Sequence, residues 1–89
     1  MKNINLLYEH TVKRLEDLSI RYTVHHFPSG AIMLDIWVNN KFYVLQFETD
    51  CIGISEINDD NIGIDLIPNE RFYNEIDYKV ALEIVLNVG

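Results

Sequence analysis

Between Phe42 and Glu70 this chain contains no lysine and no arginine, yet seven carboxylates fall there: Glu48, Asp50, Glu56, Asp59, Asp60, Asp65 and Glu70. Outside the stretch acids and bases balance, so the whole formal charge of −7 belongs to it. An acidic block on a small domain repels phosphate and attracts basic proteins. Direct nucleic-acid binding is therefore opposed electrostatically, although Trp37, Phe42 and Tyr43 offer rings for stacking. Cysteine is almost missing as well. The single Cys51 excludes an internal disulfide framework, and no neighbouring base is placed to make it a thiolate. Two prolines and four glycines against 48% apolar residues argue for a packed chain over a disordered one. There is no apolar run of about 18 residues and no charged-then-apolar leader. These features predict a protein without membrane contact in a reducing compartment, the cytoplasm. No repeat or linker divides the 89 residues, so one domain over 1–89 is expected, with roughly 60–65% of the unfolded surface buried.

What is present is patterned. Ile4, Leu7, Tyr8, Leu15 and Leu18 recur at helical spacing while Glu9, Lys13, Arg14 and Glu16 fall elsewhere, which predicts an amphipathic helix with Asn3 placed to cap it. From Ile20 the period becomes two, broken by turns at Pro28-Ser29-Gly30, Asn39-Asn40 and Thr49-Asp50. Strands are expected at about 20–27, 31–38, 41–48 and 51–57. A two-residue loop at 39–40 sets Val38 opposite Lys41, and therefore Ile36 opposite Tyr43, Leu34 opposite Leu45 and Ile32 opposite Phe47. The flanking turns extend the same row to Tyr22 and Val24 on one side and Ile52 and Ile54 on the other. One sheet face is thus continuously apolar, and the other mixes Arg21, His25, Met33, Asp35, Trp37, Phe42, Val44, Gln46, Glu48, Cys51 and Ser55.

Residues 62–67 are apolar enough for an edge strand, and Asn69 or Asn74 is placed to cap a closing helix. In that helix Ile76, Val80, Ile84 and Val88 fall four apart, with Ala81 and Val85 widening the stripe, so this row is the expected core face. The expected fold is α+β: four antiparallel strands in a meander, five if residues 62–67 join, with an N-terminal and a C-terminal helix on the apolar face.

No catalytic set competes with a binding role. His25 and His26 are adjacent on a strand and point to opposite faces, so they cannot share a metal; His26 is expected to be packed and hydrogen-bonded. His10 has no partner at ligand spacing. Asp59, Asn61, Gly63, Asp65 and Glu70 alternate like a calcium loop, but Ile64 stands where the turn glycine belongs. Neither a metal nor a cofactor is expected, and enzymatic activity is not expected either. The candidate partner-binding residues are Asp35, Trp37, Phe42, Gln46 and Glu48 on the mixed face, with Asp50, Asp59, Asp60 and Asp65 supplying charge.

The run Ser29-Gly30-Ala31-Ile32-Met33-Leu34-Asp35-Ile36-Trp37-Val38, then Phe42-Tyr43-Val44-Leu45-Gln46-Phe47 and Ile52-Gly53-Ile54-Ser55, resembles small immunity proteins of bacterial contact-dependent growth inhibition and related polymorphic toxin systems. Gly63-Ile64-Asp65-Leu66-Ile67-Pro68 and Phe72-Tyr73 extend the resemblance, which covers about residues 29–75 as strands and short words. It implies non-covalent neutralisation of a cognate toxin domain, often a nuclease; the expected arrangement is a monomer forming a 1:1 complex with that basic toxin or nuclease domain. Interface residues in such families vary with the partner, so the resemblance transfers none of them here. Physical reasoning converges on the same class of partner, because a nuclease presents a basic cleft that a rigid acidic protein can occupy. Two alternatives fit the same residues. One is a phage-encoded inhibitor of a bacterial defence nuclease that imitates nucleic acid, and the other is a homodimeric interaction module joined through the Trp37 surface.

Overall fold

A computed structural model of the chain describes residues 3–57 and 70–86. Helix α1 (Ile4–Asp17) is followed by strands β1 (Arg21–His26), β2 (Ile32–Val38), β3 (Lys41–Phe47), β4 (Ile52–Ile57) and β5 (Glu70–Phe72), then by helix α2 (Glu75–Leu86). The strands form one antiparallel sheet in sequence order. The expected α+β meander with both helices on its apolar face is what the chain adopts. A fifth strand is present at Glu70–Phe72, whereas the stretch at 62–67 proposed for it lies outside the described residues.

The turns fix the register as their chemistry requires. Asn39 and Asn40 both take positive φ (54° and 64°), the conformation of a two-residue hairpin whose twist suits the flanking strands, and asparagine tolerates it better than most residues. Leu34 then pairs with Leu45, Ile36 with Tyr43 and Ile32 with Phe47. Val24 reaches Leu34 on one side, and Ile54 reaches Leu45 on the other. Helix α1 ends in a Schellman motif, in which Ile20 N–H donates to the Leu15 carbonyl and Ser19 N–H to that of Glu16. Ser19 occupies the left-handed position usually given to glycine, at φ 56°. At the other end of α1, Asn3 makes no side-chain cap. Asn74 caps α2, its Oδ1 accepting from Asp77 N–H at 2.8 Å.

The core lies between the helices and the sheet, with Leu7 and Leu15 from α1, Leu34, Ile36, Leu45, Phe47 and Ile52 from the strands, and Tyr78 and Leu82 from α2. The two helices are tied by one buried polar contact. Thr11 Oγ1 donates to the Leu7 carbonyl at 2.7 Å, so its single proton is used and the Tyr78 hydroxyl must donate to Oγ1 across 2.5 Å. Nearer the surface, Arg14 grips Glu83 with two hydrogen bonds, Nε to Oε2 at 3.0 Å and Nη2 to Oε1 at 2.6 Å.

Helix α2 departs from expectation in the side it buries. Of the expected stripe, Val85 is buried and Ala81 packs against the core, but Ile76, Val80 and Ile84 are 75%, 56% and 62% exposed, Val88 lies outside the described residues, and Tyr78, Leu82 and Leu86 are buried instead. Both rows are apolar and both have helical spacing, so hydropathy alone cannot choose between them; the Tyr78 hydroxyl, satisfied by Thr11, identifies the row that docks. The mixed sheet face also differs from a uniform surface, because Val44 on β3, Gly53 and Ser55 on β4, and Cys51 just before β4 are all buried. His26 is exposed with its ring edge-on to Tyr8, and so is less packed than expected.

Candidate functional site

Two surfaces present large apolar side chains beside charged groups. The first is the corner where β1, β2 and β3 meet on the outer sheet face. Register places Trp37 opposite both Arg21 and Phe42, and the Trp37 and Phe42 rings stack at 5.0 Å with 18° between their planes. The Arg21 guanidinium lies over the Trp37 ring, 4.7 Å from its centre, in a cation–π contact. Asp35, in the neighbouring row, accepts a contact from His25 Nε2 at 2.9 Å. Trp37, Phe42 and Asp35 therefore do come together as expected, and Trp37 is 37% exposed. The corner nevertheless brings its own cation, and its one carboxylate is engaged by an imidazole, so it is an aromatic surface without an acidic field.

Gln46 and Glu48 stand further along the same strands, beside a cleft of about 300 Å³ that Phe27 and Met33 help to line. Glu48 and Asp50 flank the tight β3–β4 turn, which Glu48 N–H closes on the Cys51 carbonyl at 3.0 Å. Cys51 Sγ donates to Glu48 Oε2 at 3.3 Å. Burial, with the two adjacent carboxylates, pushes the thiol up to about 11, so at neutral pH it is a protonated donor and a poor nucleophile. Ligand atoms of Glu48, Asp50 and Cys51 lie within 4.8 Å of one another, but two of the three residues are exposed acids of an acidic turn, and three such groups assign no metal. Asp59, Asp60 and Asp65 lie outside the described residues.

The second surface was not among the expected binding residues. Glu56 pairs with Tyr43 and Glu70 with Ile54, which puts both carboxylates on the helix-bearing face at the end of the sheet. There they edge an open cleft of about 240 Å³ whose walls are Tyr43, Ile54 and Phe72 from the strands and Ala81, Ile84 and Val85 from α2. Ile84 is also the last described member of the exposed row Ile76, Val80, Ile84, so cleft and row form one continuous surface. Lys41 Nζ stands 3.6 Å from Glu56 Oε1, with both side chains about half exposed. Exposed pairs of that kind contribute about 0–1 kcal/mol and exchange readily. Two sequence signals were available for this surface: Glu56 and Glu70 belong to the base-free stretch, and α2 carries more apolar rows than one core face can use.

No protein-family model matches the chain, and neither a curated protein nor a solved structure shows significant similarity to it. Among the described residues, no helix is long and apolar enough to cross a membrane.

Proposed function

We propose that this chain is an acidic protein inhibitor that binds a basic protein domain and occludes it, as immunity proteins neutralise their cognate toxins, the toxin here being a nuclease. The observation that carries the reading is the segregation of charge: the whole formal −7 resides in a stretch with no base, within a small sheet protein. Such a field raises the rate of encounter with a basic surface toward about 10⁸ M⁻¹s⁻¹ at low salt, and exposed aromatic and aliphatic side chains give the short-range fit that slows dissociation. Inhibition of this kind needs no chemistry from the inhibitor. A rigid meander closed by two helices suits the task, because a preformed surface loses little freedom on binding.

The test is capture of the partner from cells that carry the gene, its identification, and reconstitution from purified components. The reading expects a basic domain with nuclease activity that is lost in a 1:1 complex. A partner without excess positive charge, or a complex that retains full activity, overturns it. Replacing Asp59, Asp60 and Asp65 together with Asn is expected to slow association and flatten its dependence on ionic strength. Association as fast as the parent's at every salt concentration would reduce the charge to a solubility feature.

A further inference from the structure

We infer that the partner docks on the helix-bearing side of the molecule, with an amphipathic helix laid along Ile76, Val80 and Ile84 and one of its Lys or Arg side chains seated in the cleft between Glu56 and Glu70. This rests on the proposed role as a binder of a basic protein and says where that binding occurs. Three exposed aliphatic side chains in line are unlike singly scattered surface apolar residues, because together they make a contiguous patch. Spaced four apart, they form the kind of ridge that packs into the groove of another helix, at roughly −50° to its axis.

The cleft at the end of the ridge specifies the chemistry. At about 240 Å³ it is smaller than the ~300–1,000 Å³ that drug-sized ligands occupy, and it suits a single long side chain. Its walls are apolar at Ile54, Phe72 and Val85 and its edge carries the two carboxylates. A lysine or arginine satisfies both, burying its methylene stem and placing its charge at the rim. Glu70 has no ion pair among the described residues, and Glu56 has only the long contact to Lys41.

A second copy of the chain is the competing occupant, and charge argues against it. A two-fold interface on this ridge would lay the rows antiparallel, setting the Glu56 and Glu70 end of each copy against the Glu75 end of the other between molecules of formal charge −7. The Trp37 corner is the competing surface, and the Arg21 guanidinium on its ring repels the cation that this partner must bring.

The experiment uses the full chain, isotopically labelled, titrated with a synthetic 14-residue Leu/Lys amphipathic helical peptide and with its Leu/Glu counterpart. With the Lys peptide, the largest NMR shift changes are expected at Ile76, Val80, Ala81, Ile84, Glu56 and Glu70, and none with the Glu peptide. Val80→Glu adds negative charge while removing apolar contact, so weakening of about tenfold or more supports the ridge, whereas tighter binding would mean that charge alone attracts the peptide and would overturn it. Glu56→Gln with Glu70→Gln is expected to weaken binding and lower its salt dependence. Lys-peptide shifts confined to the Trp37 corner overturn the location and leave the basic-partner reading standing. Equal binding of both peptides, or of neither, counts against both. Sedimentation of the peptide-free protein as a dimer that Val80→Glu dissociates would give the ridge to a second copy and overturn the inference.

Discussion

The first helix turns mainly polar residues outward, with Leu6 the one exposed leucine in it, while the second turns out a row of three aliphatic ones. On α1 the buried positions Leu7, Thr11 and Leu15 face exposed Glu9, Lys13 and Glu16, the division that lets a helix cover a sheet and meet water. On α2 the buried positions Tyr78, Leu82 and Val85 face exposed Ile76, Val80 and Ile84. Both helices lie on the same sheet and join the same core. On α1 Leu6 is a single exposed leucine, whereas α2 carries a second apolar row, three residues long, that takes no part in the core formed by the described residues. That is the reason for assigning binding to α2's side of the molecule.

The comparison is sharpest where the two rows of α2 are cut in turn. Leu82→Ala is expected to cost about 2–5 kcal/mol of folding stability, like Leu34→Ala or Leu45→Ala in the same core, because each removes packed methyl groups. Ile84→Ala, one turn-face away, is expected to stay within about 0.5 kcal/mol of the parent. Urea unfolding of both variants decides, and equal costs would erase the distinction between inner and outer rows.

Next in size is the joint between the helices. Tyr78→Phe removes the proton that satisfies Thr11 Oγ1, leaving a buried acceptor underused, with an expected cost of about 1–2 kcal/mol. Burial also pushes the Tyr78 phenol far above its ordinary range. A fully neutral stability for Tyr78→Phe would mean that the hydroxyl contact merely tolerates the packing.

Cys51 tests the opposite sheet face through pH. Its thiol is held at about 11 in the folded chain, above the ~8.5 of an unfolded cysteine, so folding favours the protonated form. The resulting stability is fully present below about pH 8.5 and is lost as pH rises toward 11. Stability is therefore expected to fall across that window, and the fall to be shallower in Cys51→Ala. The native thiol should also react slowly with a disulfide reagent at pH 8, and a rate like that of the unfolded chain would contradict its burial.

The smallest effect concerns the end of α1. Ser19→Gly relieves a left-handed serine, and a gain of up to about 1 kcal/mol is expected, offset in part by the greater freedom of glycine in the unfolded chain. A loss of stability would show that the Ser19 side chain contributes more than its backbone strain costs.

Much of this fold is legible in the residues. Asn39-Asn40 admits one hairpin register, and alternation then carries Leu34 to Leu45 and Ile54 without further information. The helix at Ile4–Asp17 is equally plain, since one face gathers most of its apolar residues, although Leu18, expected on that face, is the exposed C-cap residue and Leu6 points to solvent. The choice of row in α2 is not legible, because both rows satisfy the same periodicity and tertiary docking selects between them. Strand β5 is only Glu70-Arg71-Phe72, too short and too polar for alternation to announce it. The burial of Val44, Gly53 and Ser55 on the mixed face has only a faint signal, the run of small side chains on β4. For the binding surface, the aromatic corner was legible from register, whereas the Glu56 and Glu70 cleft required knowing where α2 lies.

The central claim is that α2 spends one row on folding and offers the other to a basic partner. The most direct test measures, on Ile84→Gln, both the urea midpoint and the affinity for the captured basic partner. The expected result is an unfolding free energy within about 0.5 kcal/mol of the parent together with affinity weakened about tenfold, mainly through faster dissociation. A variant that is strongly destabilised, or that is stable and binds with full affinity, would contradict it.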